Sequence, residues 1–172
     1  GLIRGRTPEG ETIPPLVLFD AAKKHDLTLV FDRFCRERVL AAFANIYRFR
    51  KKSLLFINLE TSFLSSKVVG SGYLLDQVMK YKIPPSNIVI EIVESKTANT
   101  DSLIRFVNAY RACGFNIALD DVGTGHSNFD RISLLRPNII KVDRSIINGI
   151  SADYFKQEIF KSLRNLSTNI GC

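Results

Sequence analysis

Nowhere in the 172 residues does an apolar run approach the roughly 18 positions a helix needs to cross a bilayer. The first residues also lack the basic, apolar and small-residue order of a secretory signal, so a soluble, cytoplasmic domain is expected, either free or as part of a larger membrane-attached protein. Cysteine is scarce. Cys35, Cys113 and Cys172 are odd in number, far apart and form no CxxC, which argues against a disulfide framework and a zinc site alike. No predicted strand is followed by a glycine-rich dinucleotide fingerprint or a Walker sequence, and no RNP-like, zinc-finger or KH-like signature occurs. Low-complexity segments, linkers and internal repeats are absent as well.

What is present is an ordinary globular composition, 45% hydrophobic and 24% charged, with a formal net charge of +7. One domain is the default. The positive balance favours an anionic partner. Its densest cluster, Arg48, Arg50, Lys51 and Lys52, falls at the end of a predicted helix, where cations suit the macrodipole. A solvated helix end accounts for that cluster better than a nucleic-acid patch, and neither a nucleic-acid polymer nor a membrane is an expected partner of this domain.

Along the chain, Pro14-Pro15 opens a helix with Leu16, Phe19 and Ala22 as its apolar stripe. Phe31, Phe34, Cys35, Val39, Ala42, Phe43 and Ile46 recur at helical spacing and predict a longer helix with that face inward. Ser53 to Leu59 reads as a strand, Val68 to Lys82 as a helix ended by Pro84-Pro85, and Ile88 to Val93 as a second strand. A helix capped by Thr100 or Asp101 closes at Gly114. Strand Ile117 to Leu119, helix Ser127 to Arg136, strand Ile139 to Val142 and a final helix, Tyr154 to Asn169, complete the series. Strand alternating with helix predicts an α/β fold with a mainly parallel sheet, and the missing nucleotide fingerprints favour a barrel over an open sheet.

In such folds functional groups collect at the carboxyl ends of strands. Asn58, Glu91, Asp120, Asp121 and Lys141 all fall there, on four different strands. A carboxylate inside the β-branched run IVIEIV is expensive unless it is paired, metal-bound or at an exposed strand end. Two adjacent aspartates converge on one ligand only if the backbone bends, which Gly123 and Gly125 permit; in isolation the same Asp-Asp could simply cap a turn. Oxygen ligands without histidine or cysteine suit Mg²⁺ or Mn²⁺, and two such ions roughly 4 Å apart would serve an in-line displacement at phosphorus. Lys141 would then offset negative charge or position water. The plainer alternative is a salt bridge to Asp121 or Asp143.

Asn58-Leu59, the EIVE of Glu91 to Glu94, the DDVGTG of Asp120 to Gly125 and the KVD of Lys141 to Asp143, in that order, resemble the EAL domain of cyclic di-GMP phosphodiesterases. The resemblance covers essentially the whole chain. It implies a (β/α)8 TIM-like barrel with one antiparallel strand, hydrolysing cyclic di-GMP to linear pGpG with two Mg²⁺ or Mn²⁺ ions. On this reading Asn58, Glu91, Asp120 and Asp121 are metal ligands, and Lys141, Asp121 and Glu91 the catalytic set. Leu2 and Arg4 contact a guanine-phosphate half of the substrate. Glu94 braces the loop holding Gly123, Thr124 and Gly125, which couples the site to a homodimer surface; GGDEF-type or other regulatory domains are implied partners in a longer protein.

Some positions depart from the family pattern. Glu60 stands in place of a small hydroxyl residue, and Val122, His126 and Asn128 replace the usual loop residues. The family's first glutamate would fall just before Gly1 and its AEGVE strand just after Cys172, so the 172 residues are expected to be one incomplete EAL-type domain, short of the roughly 250 residues of such a barrel. The competing readings are a degenerate EAL domain that binds cyclic di-GMP or a protein without turnover, a different phosphate-handling barrel, and a basic nucleic-acid binder.

Overall fold

A computed structural model of the chain describes residues 3–59, 72–92, 100–123 and 129–172, with the backbone alone at Leu59. Its centre is a four-stranded parallel sheet in chain order: β3 (Leu55–Leu59), β4 (Ile88–Ile92), β5 (Asn116–Val122) and β6 (Ile139–Val142). Each step between neighbours is made by a helix: α3 (Gly72–Lys80), α4 (Thr100–Ala112) and α5 (Phe129–Leu135). The β-branched, doubly apolar strands explain this order, because only a sheet covered by helices hides both faces of such a run. Ile88, Val89, Ile90 and Ile92 are all fully buried, as are Ile117, Ala118 and Leu119 beside them.

Ahead of the sheet lie a two-residue antiparallel pair, β1 (Gly5–Arg6) with β2 (Thr12–Ile13), and the helices α1 (Pro15–Lys24) and α2 (Thr28–Tyr47). After it come a single turn, α6 (Arg144–Ile147), and the long α7 (Tyr154–Ile170). Asp153 caps α7 by accepting from the Lys156 N–H at 3.1 Å, and Gly171, at φ 74°, closes it in the left-handed region. The end of a strand at Gly5–Arg6 and a turn at Pro8 to Gly10 agree with the sequence pattern, but neither β2 nor α6 is anticipated from it, since elements this short carry no periodicity.

Three helical faces differ from the sequence reading. Leu16 of α1 points to solvent while Ala22 is buried. In α2 the inward face is Asp32, Cys35, Leu40, Phe43 and Tyr47; Ala42, Phe34 and Ile46 are exposed, Phe34 at 57%. That stripe is rotated because Arg36 pairs with Asp32 one turn away, which lets a carboxylate occupy the inward face that hydrophobic counting gave to Phe31 and Phe34. In α7 only Leu163 is buried; Phe155, Ile159 and Phe160 remain exposed.

Among the described strands, the register irregularity lies in β5. Its pairing with β6 shifts register between Leu119 and Val122, and Asp121 adopts φ 56°. The strand resumes when the Asp143 N–H donates to the Val122 carbonyl at 3.0 Å. Gly123 follows at φ 108°, and a Cβ there would sit 2.1 Å from Ile146 Cδ1, so glycine is required by both backbone and packing.

Two stability predictions follow from these contacts. Asp32→Ala removes the charge partner of Arg36, whose side chain is only 14% exposed, and is expected to destabilise the fold by about 3 kcal/mol. Phe34→Ala should cost no more than about 0.5 kcal/mol; urea denaturation of both variants checks the assigned face. Gly123→Ala should cost about 2 kcal/mol or more, and Gly123→Ala/Ile146→Ala should recover only part of it, because the backbone strain outlives the clash.

Candidate phosphodiester-hydrolysis site

Parallel register places the acidic groups before any side chain is considered. Asn58 on β3 lies opposite Glu91 on β4, and Glu91 lies opposite Ala118 on β5, which in turn faces Ile139 on β6. Side chains alternate along a strand, so Asp120 shares the face of Ala118, and Lys141 that of Ile139. One face of the sheet therefore presents Asn58, Glu91, Asp120 and Lys141 near the strands' carboxyl ends. Ala118 is the residue the sequence reading passed over. Its methyl leaves the gap through which groups on β4 and β6 meet across β5, and a small side chain two places before Asp120 was the available signal.

The Lys141 ammonium donates to Glu91 Oε1 and, at 2.6 Å, to Asp120 Oδ2. These are not the partners, Asp121 or Asp143, that the simple salt-bridge reading named; register, invisible in sequence, brings Lys141 to Glu91 and Asp120. Glu91 is 5% exposed, within an otherwise wholly apolar strand, and that ammonium is the ion-pair partner such a buried position calls for. Burial lowers the proton affinity of Lys141, but hydrogen bonds to Asp120 and Glu91 outweigh it and the pKa rises above the ordinary lysine value. Lys141 is thus a fixed cation at neutral pH.

Asp121 takes a different direction because of the break in β5. Its backbone N–H donates to Asp120 Oδ1 at 3.0 Å, which holds the first carboxylate while the second is swung away. Burial, then the negative charges of Asp120 and Asp143, push the Asp121 carboxyl above its usual pKa, with Lys141 opposing. Asp143 is held below the usual range by hydrogen bonds from Ser145, whose N–H it accepts at 2.6 Å as the cap of α6. An Asp121 carboxyl raised by burial and by its negative neighbours is in the electrostatic setting that a bound cation relieves.

Asn58 is exposed at the end of β3, next to Glu91 in the ladder. Arg4 is exposed, and its guanidinium donates to the Ile3 carbonyl at 2.7 Å; the described contacts do not join it to the acidic cluster. Leu2, Glu60, Glu94, Thr124, Gly125, His126 and Asn128 lie outside the described residues. Asn58, Glu91, Asp120 and Asp121 offer oxygen donors only, and a positive charge already sits between two of them, so the set suits a hard divalent cation. Among the described residues no three His, Cys, Asp or Glu side chains are already arranged around a metal position.

The EAL domain family matches residues 2–172. Over 159 residues the chain is 26% identical to the cyclic di-GMP phosphodiesterase PdeA of Borreliella burgdorferi, covering 92% of this chain and 24% of that protein. It is also 26% identical over 162 residues to the probable cyclic di-GMP phosphodiesterase PdeA of Escherichia coli K12, covering 94% of this chain and 21% of that protein. The chain thus spans less than a quarter of the length of either relative. Among solved structures, BlrP1 of Klebsiella pneumoniae in a calcium and cyclic di-GMP complex superposes with a TM-score of 0.80 at 27% identity, over 96% of this chain and 41% of that one. The EAL domain of Xanthomonas citri FimX, in complex with cyclic di-GMP, gives a TM-score of 0.82 at 22% identity, over 99% and 67%, a likeness of fold. BlrP1 has also been solved with manganese and cyclic di-GMP. The parallel α/β core is that of the EAL TIM-barrel structures, and by the match across residues 2–172 the chain belongs to the EAL domain family.

Proposed function

We propose that the chain forms the catalytic part of a metal-dependent cyclic di-GMP phosphodiesterase that opens the cyclic dinucleotide to linear pGpG. The observation that carries this reading is the convergence of Glu91 and Asp120 on Lys141 at the carboxyl end of the sheet, next to Asn58 and the diverted Asp121. Relatives that are cyclic di-GMP phosphodiesterases, and BlrP1 complexes holding that nucleotide with calcium or manganese, support it.

In this proposal Asn58, Glu91, Asp120 and Asp121 hold one or two Mg²⁺ or Mn²⁺ ions. When bound, the metal supplies Lewis acidity toward phosphate and lowers the pKa of water. The protein's own residues do the rest. Lys141 keeps its Nζ proton at working pH and offers a fixed positive charge to the negative charge that builds on the phosphoryl group. Glu91, held in the apolar layer, orients Lys141 by accepting its ammonium proton at Oε1. Leu2 and Arg4 are the proposed nucleotide contacts, and Glu94 with Gly123, Thr124 and Gly125 the proposed route to a homodimer surface.

A second reading, a cyclic di-GMP receptor without turnover, is favoured by one observation: Lys141 is ion-paired directly with two of the four proposed ligands. Product analysis separates the two. With cyclic di-GMP and Mg²⁺ or Mn²⁺, the full-length natural protein is expected to release pGpG, and Asp121→Asn to lower that rate by about a thousandfold or more. Nucleotide binding with no pGpG would establish the receptor instead, and normal turnover by Asp121→Asn would remove Asp121 from the ligand set.

Lys141→Met tests the electrostatics without an assay of turnover. In the presence of chelator it should destabilise the fold by about 2 kcal/mol, less than for a fully buried pair because the lysine side chain keeps 37% exposure. Excess Mn²⁺ should restore much of the loss if the acids take the ion in place of the ammonium. Urea curves with and without Mn²⁺ that coincide would argue against a cation site here.

A further inference from the structure

Parallel strands force every helix-to-strand connection to one pole of the sheet, opposite the acidic mouth. Those connections are residues 48–54, 81–87, 113–115 and 136–138, and they contain Arg48, Arg50, Lys51, Lys52, Lys82 and Arg136 but no Asp or Glu. All six residues are exposed and no ion pair to any of them occurs among the described residues; Lys51 Nζ lies 4.3 Å from the centroid of the Tyr47 ring. Two adjoining connections are fastened together by Asn87 Nδ2, which donates to the carbonyls of Lys51 at 3.0 Å and Ser53 at 2.9 Å. The basic face is therefore a built surface and more than a frayed helix end.

Set among these cations is Phe49, 89% exposed, in a turn fixed by hydrogen bonds from the Phe49 N–H to Ile46 and from the Ser53 N–H to Arg50. Leu54 in the same connection is exposed too, as are Ile46 and Met79, the latter at 62%, in the last turns of α2 and α3 that enter this pole. A large apolar side chain at the tip of a basic turn gains nothing from water. It gains from a partner that offers hydrocarbon beneath a layer of negative charge.

We propose that this pole docks on an anionic phospholipid surface, with Phe49 entering the boundary between headgroups and acyl chains while Arg48, Arg50, Lys51 and Lys52 lie among the phosphates. The physics is that of interfacial binding: each cation near an anionic leaflet strengthens attachment, and buried apolar area adds to it. A nucleic-acid polymer fits less well. It would engage the cations and stack a base on Phe49's ring, but Ile46, Leu54 and Met79 would gain nothing from a phosphate backbone. Because all four strands run away from this pole, a docked domain turns its acidic mouth away from the bilayer. The proposal goes beyond the hydrolytic reading and stands or falls apart from it.

The test is sedimentation of the full chain with vesicles of phosphatidylcholine alone, or mixed with phosphatidylglycerol, at low and high salt. Binding is expected only with phosphatidylglycerol and should weaken as salt rises. Lys51→Glu/Lys52→Glu should lower the partition coefficient at least roughly twentyfold, about fivefold for each cation removed. Phe49→Ser should lower it roughly tenfold. Neither substitution touches the mouth, and both sites are exposed, so circular dichroism should show an unchanged fold. Failure to bind anionic vesicles, equal partition of both variants with the parent, loss with the charge reversals but not with Phe49→Ser, or tighter binding to duplex DNA than to anionic vesicles would each overturn the proposal.

Discussion

The arrangement of the mouth depends on one ammonium group held between two carboxylates on different strands. Glu91 sits in a strand whose other four residues are aliphatic and buried, a position where an unpaired charge would cost several kcal/mol. Lys141 removes that penalty from two strands away, across the methyl of Ala118. A larger residue at 118 would stand between the partners, and a one-residue slip of β6 would turn Lys141 to the opposite face. Sheet register and side-chain size are thus the conditions for the charge cluster, and the cluster in turn makes that register preferable to its neighbours.

The second condition is the break in β5. A regular strand would send Asp120 and Asp121 to opposite faces, one toward the mouth and one into the helical layer. The register shift and the positive φ of Asp121 turn the strand where the second carboxylate would otherwise be trapped. Aspartate is among the residues that tolerate this conformation best, at roughly 1–2 kcal/mol. The strain is offset locally: Asp143 returns the ladder to Val122 and caps α6, and α6 supplies Ile146, whose side chain fills the space over Gly123. Three features that look separate in the sequence, Asp-Asp, Gly123 and the KVD segment, are one packed corner.

The strands of the core were legible because β-branched runs bounded by proline and glycine leave few alternatives; three of the four fall within two residues of where the pattern puts them, and β5 runs three residues past Leu119, through the Asp pair. The gathering of Asn58, Glu91, Asp120 and Lys141 was legible too, since strand ends in a parallel sheet share a pole whatever the register. What could not be read was which group meets which. Lys141 is one residue from Val142 and two from Asp143 in sequence, yet its partners lie 21 and 50 positions away. The face of α2 was misread for a related reason: hydrophobicity gives a charged residue to solvent unless its partner is known, and Asp32 has Arg36.

Parallel topology also explains why charge is segregated between the two poles. Strand-to-helix and helix-to-strand connections cannot mix, so each pole evolves its own composition. The helices run opposite to the strands, which brings their carbonyl ends to the basic pole, and Lys80 and Arg111 in the last turns of α3 and α4 suit those ends. Arg111 goes further and donates to the carbonyls of Leu135 and Arg136, tying α4 to the end of α5. Such cations are accounted for by the fold itself. Lys51 and Lys52 lie beyond the last turn of α2, and a helix dipole falls off within that turn, so termination of the helix does not require them. Nor does it require Phe49 to stand in water between Arg48 and Arg50, and it is this surplus, apolar as well as basic, that separates the turn before β3 from the other three connections at the same pole.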